Sequence, residues 1–202
     1  MGSLAGAQGI SQGRRALEAG EWEAARAAFE AVAESDGGAE AFDGLGQALW
    51  FLGAIDDGVV ARERAFAEYV RSDRCDEAAR AGVWISHQHL LAGRASGARG
   101  WLARAERALE GLPTCSGHGW VAVERAGHAE TLEESIEHAR RAMAIGRETG
   151  AADLEVYALS VLGQATVVAG RRSDGMALLE EAMAAASTGH ARDVHIVGEA
   201  YC

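Results

Sequence analysis

The sequence offers two short arrangements of possible metal ligands, His87-Gln88-His89 and Cys115-x2-His118. Zinc sites usually combine four nitrogen and sulfur ligands that come from closely spaced pairs. The two histidines stand at i and i+2 and point to different sides of a helix, so they cannot readily share one ion. The cysteine and histidine are not followed by a second pair at ligand spacing. We therefore expect no metal site and no cofactor.

The sequence also lacks the motifs of the common catalytic sites. No glycine-rich turn exposes a serine as a nucleophile. The chain has no lysine, so it cannot form the Gly-x4-Gly-Lys motif that binds ATP phosphates. Its carboxylates mostly lie three or four residues from arginines, as Glu137 does from Arg140 and Arg141, which is typical of a solvated helix face. We expect the chain not to be an enzyme and assign it no catalytic residue.

One set of polar and aromatic residues is better suited to binding. Its members take equivalent positions on the first helices of successive helical hairpins, and in a stack of hairpins those helices line a concave groove. The candidates are Asp43, Gln47, Trp50, Val83, His87, Trp120, Glu124, Tyr157, Ser160 and Gln164. Aromatic rings provide contact area and amides provide orientation, so this mixture suits a protein or peptide partner, or a small ligand. Trp50 and Trp120 could equally belong to the core between hairpins.

The stretch 39–73 has the clearest pattern of the elements that would carry these residues. Its apolar stripe at i, i+3, i+4 and i+7 consists of Phe42, Leu45, Gly46 and Leu49. This periodicity predicts a buried helix face, which Gly53 ends before a second helix follows. The sequence aromatic-x2-Leu-Gly-x2-apolar, then a glycine and a second helix, is typical of the tetratricopeptide repeat (TPR), a unit of about 34 residues.

Similar patterns along the chain predict an all-α fold, an α-solenoid of about five antiparallel helix hairpins in a TPR-like right-handed superhelix. The predicted hairpins span approximately 6–35, 39–73, 76–112, 116–149 and 152–188. We expect a single repeat domain over 1–202, in which 191–202 is an unpaired helix from a truncated further repeat. That last helix is too apolar to cap a solenoid, so a partner or self-association could cover the C-terminal end.

Four residues give expectations about packing. Trp22, at the first turn, is predicted to pack under the next hairpin. Gly46 is predicted to form a notch that admits the neighbouring helix, so that leucine there would overpack the contact. Gly58 and Gly175 take the small-residue position of second helices, where alanine is expected to be neutral or stabilising by about 0.5–1 kcal/mol.

Charge and composition restrict the partners and the location. The 30 acidic residues outnumber 19 basic ones, and the net charge of −11 repels phosphate backbones, so direct nucleic-acid binding is not expected. The sequence has no signal peptide and no apolar run of the ~20 residues that a membrane span requires. Its three widely spaced cysteines, Cys75, Cys115 and Cys202, do not indicate a disulfide framework. These features predict a cytoplasmic protein without membrane contact.

Three phrases, at 100–107 (GWLARAER), 118–120 (HGW) and 198–202 (GEAYC), carry a more specific resemblance. They resemble the repeat regions of large bacterial LuxR-type transcriptional regulators and of TPR-bearing nucleotide cyclases, and the likeness covers most of the chain from about Leu17. The resemblance implies a non-catalytic protein-interaction and regulatory module for signal transduction, the sensor or scaffold part of such a regulator. The alternatives are a small-molecule-sensing TPR domain and the regulatory repeat region of a cyclase.

Overall fold

The computed structural model describes residues 4–35 and 37–201, and within them the regular elements are α-helices. Their bounds are α1 Leu4–Glu18, α2 Trp22–Ser35, α3 Ala39–Phe51, α4 Ile55–Arg71, α5 Cys75–Leu91, α6 Ala95–Ala108, α7 Ser116–His128, α8 Leu132–Thr149, α9 Ala152–Val168, α10 Arg172–Ser187 and α11 Val194–Tyr201. The all-α prediction is confirmed. Cys202, where the predicted last helix ends, lies outside the described residues.

The helices pack as hairpins inside two compact units, of which the first ends at Ala108 and the second begins at Leu109. In the first unit α1 packs on α2, α3 on α4 and α5 on α6, and each hairpin also contacts the next through α2 with α3 and α4 with α5. In the second unit α7 packs on α8 and α9 on α10, while α11 lies against α9 and α10. This arrangement is the stacked hairpin of an α-solenoid. The single-domain organisation stays a prediction.

In four hairpins, the first helix ends at a glycine with a positive φ. The φ angles are 74° at Gly20, 77° at Gly53, 71° at Gly93 and 84° at Gly170. Glycine adopts this left-handed conformation without the steric cost that a Cβ atom would bring. At one of these turns, the N–H of Gly53 donates to the Trp50 carbonyl at 3.0 Å, which satisfies a helix-end carbonyl. These turns set the common register of the hairpins.

Trp22 confirms the predicted contact between successive hairpins. Its indole stacks on the ring of Phe51 at the end of α3, with ring centroids 4.1 Å apart and planes inclined by 12°. The stacked pair buries apolar area where the first turn of one hairpin meets the end of the next first helix. In the described part of the chain, no helix is both long and apolar enough to cross a membrane.

Gly46 lies at the closest approach of α3 and α4, as predicted. A Cβ atom on Gly46 would stand 2.5 Å from Cγ of Arg62 and 3.0 Å from the Gly58 carbonyl oxygen. A Cβ atom on Gly58 would in turn lie 3.1 Å from the Gly46 carbonyl oxygen. The main chains of the two helices therefore leave little room for side chains at this crossing.

The same crossing recurs between α9 and α10, at Gly163 and Gly175. A Cβ atom on Gly175 would lie 2.7 Å from both the Gly163 carbonyl oxygen and the Val167 amide nitrogen. The expectation that alanine is neutral or stabilising at Gly175 is therefore wrong. At Gly58 the nearest atom, the Gly46 carbonyl oxygen, would have to move by only a few tenths of an ångström, so the expectation for that residue stays a prediction. The expected stabilisation came from the higher helix propensity of alanine. It did not consider that the main chain of the partner helix already occupies the space beside Gly175.

Replacement of Gly46 by leucine is expected to lower the free energy of unfolding by roughly 1–3 kcal/mol, because the side chain would overpack the crossing. The measurement is urea denaturation followed by circular dichroism. Gly100→Leu on α6 is the matched control, because no atom lies within 4 Å of a Cβ built on Gly100. Equal midpoints for the two variants would show that Gly46 is not at the contact.

Candidate functional site

Three candidate residues of the first unit lie along α3. Asp43, Gln47 and Trp50 stand at i, i+4 and i+7, and such residues share one helix face. All three are half-buried, so each keeps surface that a partner could cover. Asp43 also forms an ion pair with Arg62 on α4, in which Oδ1 of Asp43 lies 3.6 Å from Nε of Arg62.

The two candidates on α5 differ in accessibility. Val83 is buried, with 2 % of its surface exposed, and offers almost nothing to a ligand. His87 is half-buried, and its ring meets that of Trp84 edge to face, with centroids 5.7 Å apart. In the first unit the accessible candidates are therefore Asp43, Gln47 and Trp50 on α3 and His87 on α5.

Sequence analysis missed Arg62, which lies beneath these residues. It is 2 % exposed, and its guanidinium carbon stands 5.6 Å from the centroid of the Trp84 ring. Arg62 comes nine residues after Gly53, the glycine at the turn of its hairpin. Nine residues after the turn glycine, the other hairpins that have one carry an apolar residue, namely Phe29, Leu102 or Leu179. A charged residue type does not indicate burial, but the hairpin register places Arg62 at a core position. A buried arginine needs a partner, and Asp43 provides a negative charge.

The candidates of the second unit are mostly buried. Trp120 and Glu124 on α7 are each 3 % exposed, whereas Tyr157 and Ser160 on α9 are 6 % and 1 % exposed. The Trp120 and Tyr157 rings contact each other at a centroid distance of 6.0 Å. Trp120 thus belongs to the interior, in line with the second interpretation of that residue, and Gln164 is the exposed member of this group.

Two histidine–glutamate pairs accompany this buried group. Nε2 of His128 lies 3.3 Å from Oε1 of Glu124, and Nε2 of His195 lies 3.5 Å from Oε1 of Glu199. Burial raises the pKa of Tyr157 well above its ordinary value, and the charges of Glu124 and Glu199 raise it further, so the phenol stays neutral. Sequence analysis overlooked His128, His195 and Glu199, although both pairs have the i, i+4 spacing of interacting helix residues.

The two histidines of the His87-Gln88-His89 segment diverge, as their spacing predicts. His87 contacts Trp84 on its own helix, whereas His89 packs over Gly97 of α6, where a Cβ atom would lie 3.1 Å from Nδ1. Among the described residues, no group of three or more histidines, cysteines or carboxylates could hold a metal ion.

Cys115 and His118 meet at the beginning of α7. The Cys115 N–H donates to Nδ1 of His118 at 3.3 Å, and the Cys115 Sγ lies 3.3 Å from the same nitrogen. Cys115 is the N-cap and His118 the third residue of the helix, which is the geometry of a capping box. The pair therefore has a structural role in starting the helix.

Acidification is expected to destabilise the protein through His89. Burial lowers the pKa of His89, and the charge of Arg94 lowers it further, against the opposite effects of Glu63 and Asp56. The unfolded chain then binds the proton more tightly, so stability falls as the pH drops below about 6.5 and the loss is complete below the folded-state pKa. Urea midpoints at pH 7.5 and 5.5 test this. His89→Gln should reduce the difference, and the same difference in the wild type and in His89→Gln would contradict the assignment.

A pocket of about 470 Å³ lies at the N-terminal end of α3. Most of its lining consists of glycine, alanine and aliphatic residues from α1, α2, α3 and the connection between α2 and α3, while its charged residues are Glu40 and Arg74. Arg74 donates to Glu40 at 3.0 Å and to Glu77 at 2.9 Å. The volume falls in the range of small-molecule sites, although the charged groups largely neutralise one another.

Comparison with known proteins identifies the fold. No family model matches the chain, and no curated protein matches it. Two solved structures of a Podosopora anserina putative kinesin light chain with nearly identical TPR-like repeats are similar to it, one of them carrying a glutamine-to-methionine substitution. The TM-scores are 0.57 for the substituted protein and 0.55 for the other, each at 16 % identity over 91 % of this chain and 96 % of that chain. The chain therefore has a TPR-like helical repeat fold.

Proposed function

We propose that the chain is a non-catalytic protein-interaction module that binds a peptide segment of its partner on the first helices of its first unit. The observation that carries this proposal is the partial exposure of Gln47 and Trp50 on α3 and of His87 on α5. Tryptophan is enriched among the residues that dominate binding energy, and a partly exposed indole such as Trp50 has surface left for a partner to cover. The TPR-like fold supports the proposal, because stacked hairpins create extended binding surfaces.

The contacts beneath the surface support the same conclusion. Arg62 joins α4 to Asp43 on α3 and to Trp84 on α5, so one buried side chain links both candidate helices. His87 in turn packs on Trp84. Side chains fixed in this way lose little conformational entropy when a partner binds, which favours affinity.

Peptide display tests the proposal directly. Linear peptides with random sequences would be selected on the full chain, and the affinities of those recovered measured by fluorescence anisotropy. Trp50→Ala is expected to weaken binding by about tenfold or more, as is typical of a central tryptophan, and Gln47→Ala by less. Gly100→Ala on α6 is the control and should change affinity less than about twofold. The proposal would be overturned if peptides are not recovered, or if Gln47→Ala and Trp50→Ala do not change the affinity of the recovered peptides.

The wider context that we propose is the sensor or scaffold part of a cytoplasmic bacterial LuxR-type transcriptional regulator, with the regulatory region of a nucleotide cyclase as the alternative. The sequence phrases at 100–107, 118–120 and 198–202 support this context. The encoding reading frame decides between the two. A helix-turn-helix encoded in frame would identify a regulator, and a cyclase domain would identify the alternative. A reading frame that encodes neither domain would contradict both proposals.

Small-molecule sensing is a second candidate function, which the pocket of about 470 Å³ beside Arg74 favours. A thermal-shift screen of metabolites tests it. A compound that raises the melting temperature of the wild type but not of Arg74→Ala would favour sensing, especially if Trp50→Ala still responds. Compounds without effect on the melting temperature would leave peptide binding as the better proposal.

Self-association is a third candidate, limited to the C-terminal end of the second unit. Met183 and Tyr201 are 40 % and 53 % exposed there, although the Tyr201 hydroxyl lies 2.6 Å from Oγ of Ser187. Light scattering should then detect a dimer that Met183→Glu disrupts. A monomer at high concentration would contradict this candidate.

A further inference from the structure

A groove lies between α4 and α6, which are second helices of adjacent hairpins in the first unit. Its volume is about 430 Å³, and its lining consists of Glu63, Phe66, Ala67, Val70, Trp101 and Arg104. None of these residues belongs to the candidate site on the first helices. The groove is therefore a separate surface that the proposed function does not use.

The floor of the groove is aromatic and fixed. The Phe66 and Trp101 rings meet edge to face, with centroids 5.3 Å apart and planes inclined by 85°. Beneath them, Val59 and Ile85 join Trp101 in one hydrophobic cluster. Because this packing already holds the rings in place, an apolar side chain that entered the groove would bury aromatic surface at a small entropic cost.

One wall of the groove is an exposed stripe along α4. Glu63, Ala67 and Val70 stand at i, i+4 and i+7 and thus share one face, and Val60 continues that face of α4 beyond the lining of the groove. Val60 is 49 % exposed and Val70 is 48 % exposed, which is high for large apolar residues in the middle of a helix. The wall carries a single carboxylate, that of Glu63.

The other wall, along α6, is positively charged. The guanidinium carbon of Arg104 lies 4.5 Å from the centroid of the Trp101 ring, and Arg107, one turn further along α6, is also exposed. Within residues 4–35 and 37–201, neither of these two arginines forms an ion pair. In a chain with a net charge of −11, this edge of the groove thus carries two positive charges against the one carboxylate of Glu63.

We propose that the α4–α6 groove binds an acidic amphipathic helix of a partner protein. Apolar residues at i, i+3, i+4 and i+7 of that helix would cover Phe66, Trp101 and Val70, which is the usual mode by which a helix enters a groove. Carboxylates beside its apolar face would pair with Arg104 and Arg107. Charge complementarity of this kind selects the partner and accelerates encounter.

A display library of helical peptides tests the proposal. Each peptide has apolar residues at i, i+3, i+4 and i+7 and random residues elsewhere, and selection uses the full chain. We expect the recovered peptides to be enriched in aspartate and glutamate. Arg104→Glu should weaken their binding by about tenfold or more, because it replaces attraction with like-charge repulsion. Val70→Ser should weaken binding by a smaller factor.

Two controls separate the groove from general charge effects and from the first-helix site. Arg141→Glu on α8 makes the same change of charge at an exposed position and should alter affinity less than about twofold. Trp50→Ala should likewise leave these peptides bound, so the two binding proposals can fail separately. Circular dichroism establishes that each variant is folded.

Four outcomes of the peptide measurements would overturn the proposal. They are failure to recover peptides, recovered peptides without an acidic bias, equal affinity for the wild type and Arg104→Glu, and equal weakening by Arg141→Glu. A dimer of the wild type that Arg104→Glu dissociates would also overturn it, since the occupant would then be a second copy of this chain.

Discussion

Replacement of Gly175 by alanine is expected to lower the free energy of unfolding by about 2 kcal/mol, a typical cost of overpacking a tight contact. The added Cβ atom would lie 2.7 Å from the Gly163 carbonyl oxygen, 2.7 Å from the Val167 amide nitrogen and 2.5 Å from its Cγ2. Two of these atoms are main chain, so α9 and α10 would have to move apart. Urea denaturation of the full chain, followed by circular dichroism, measures the effect.

The matched control is Gly198→Ala on α11, in the same unit. No atom lies within 4 Å of a Cβ built on Gly198, so there the helix propensity of alanine should add about 0.5–1 kcal/mol to stability. The two substitutions are thus expected to act in opposite directions. A stabilising effect at Gly175 would show that the two helices do not approach as closely as the glycine pair indicates.

The second large effect is expected from Asp43 and Arg62. Asp43→Ala should lower the free energy of unfolding by about 2 kcal/mol, because it removes a negative charge beside the buried guanidinium of Arg62. The estimate stands below the usual cost for a fully buried pair, since 31 % of the Asp43 side chain is exposed and the atoms are 3.6 Å apart. Arg62→Leu should be nearly neutral or stabilising, because leucine occupies the equivalent position in α6 and α10.

A double-mutant cycle isolates this interaction. In the Arg62→Leu background the cost of Asp43→Ala should fall below about 0.5 kcal/mol, since the charge that needs compensation is gone. The same loss in both backgrounds would mean that Asp43 does not stabilise Arg62. Urea denaturation at neutral pH is the appropriate measurement.

The hairpins could be predicted because local signals determine them. A stripe such as Phe42, Leu45 and Leu49 identifies a helix face, and the glycines at the turns mark where first helices end. Packing between helices was harder to infer. Gly46 and Gly175 look alike in the sequence as small residues on helices, and only the distance to the opposite main chain shows how little space each has.

The candidate site was predictable only in part, because burial depends on what packs over a helix. Trp50 and Trp120 take comparable positions in the sequence pattern, yet Trp50 is half-buried and Trp120 is 3 % exposed. Arg62 was missed because a charged residue is not expected at a core position. Its distance from the turn glycine was the signal that could have revealed it.

Hydrogen exchange measured by mass spectrometry tests the central claim, that a partner binds on the first helices of the first unit, most directly. The full chain would be compared with and without a saturating amount of a peptide that depends on Trp50. The proposal predicts slower exchange in α3 and α5, residues 39–51 and 75–91, and unchanged exchange in α10, residues 172–187. Slowing confined to other helices, or no slowing in α3 and α5, would contradict the claim.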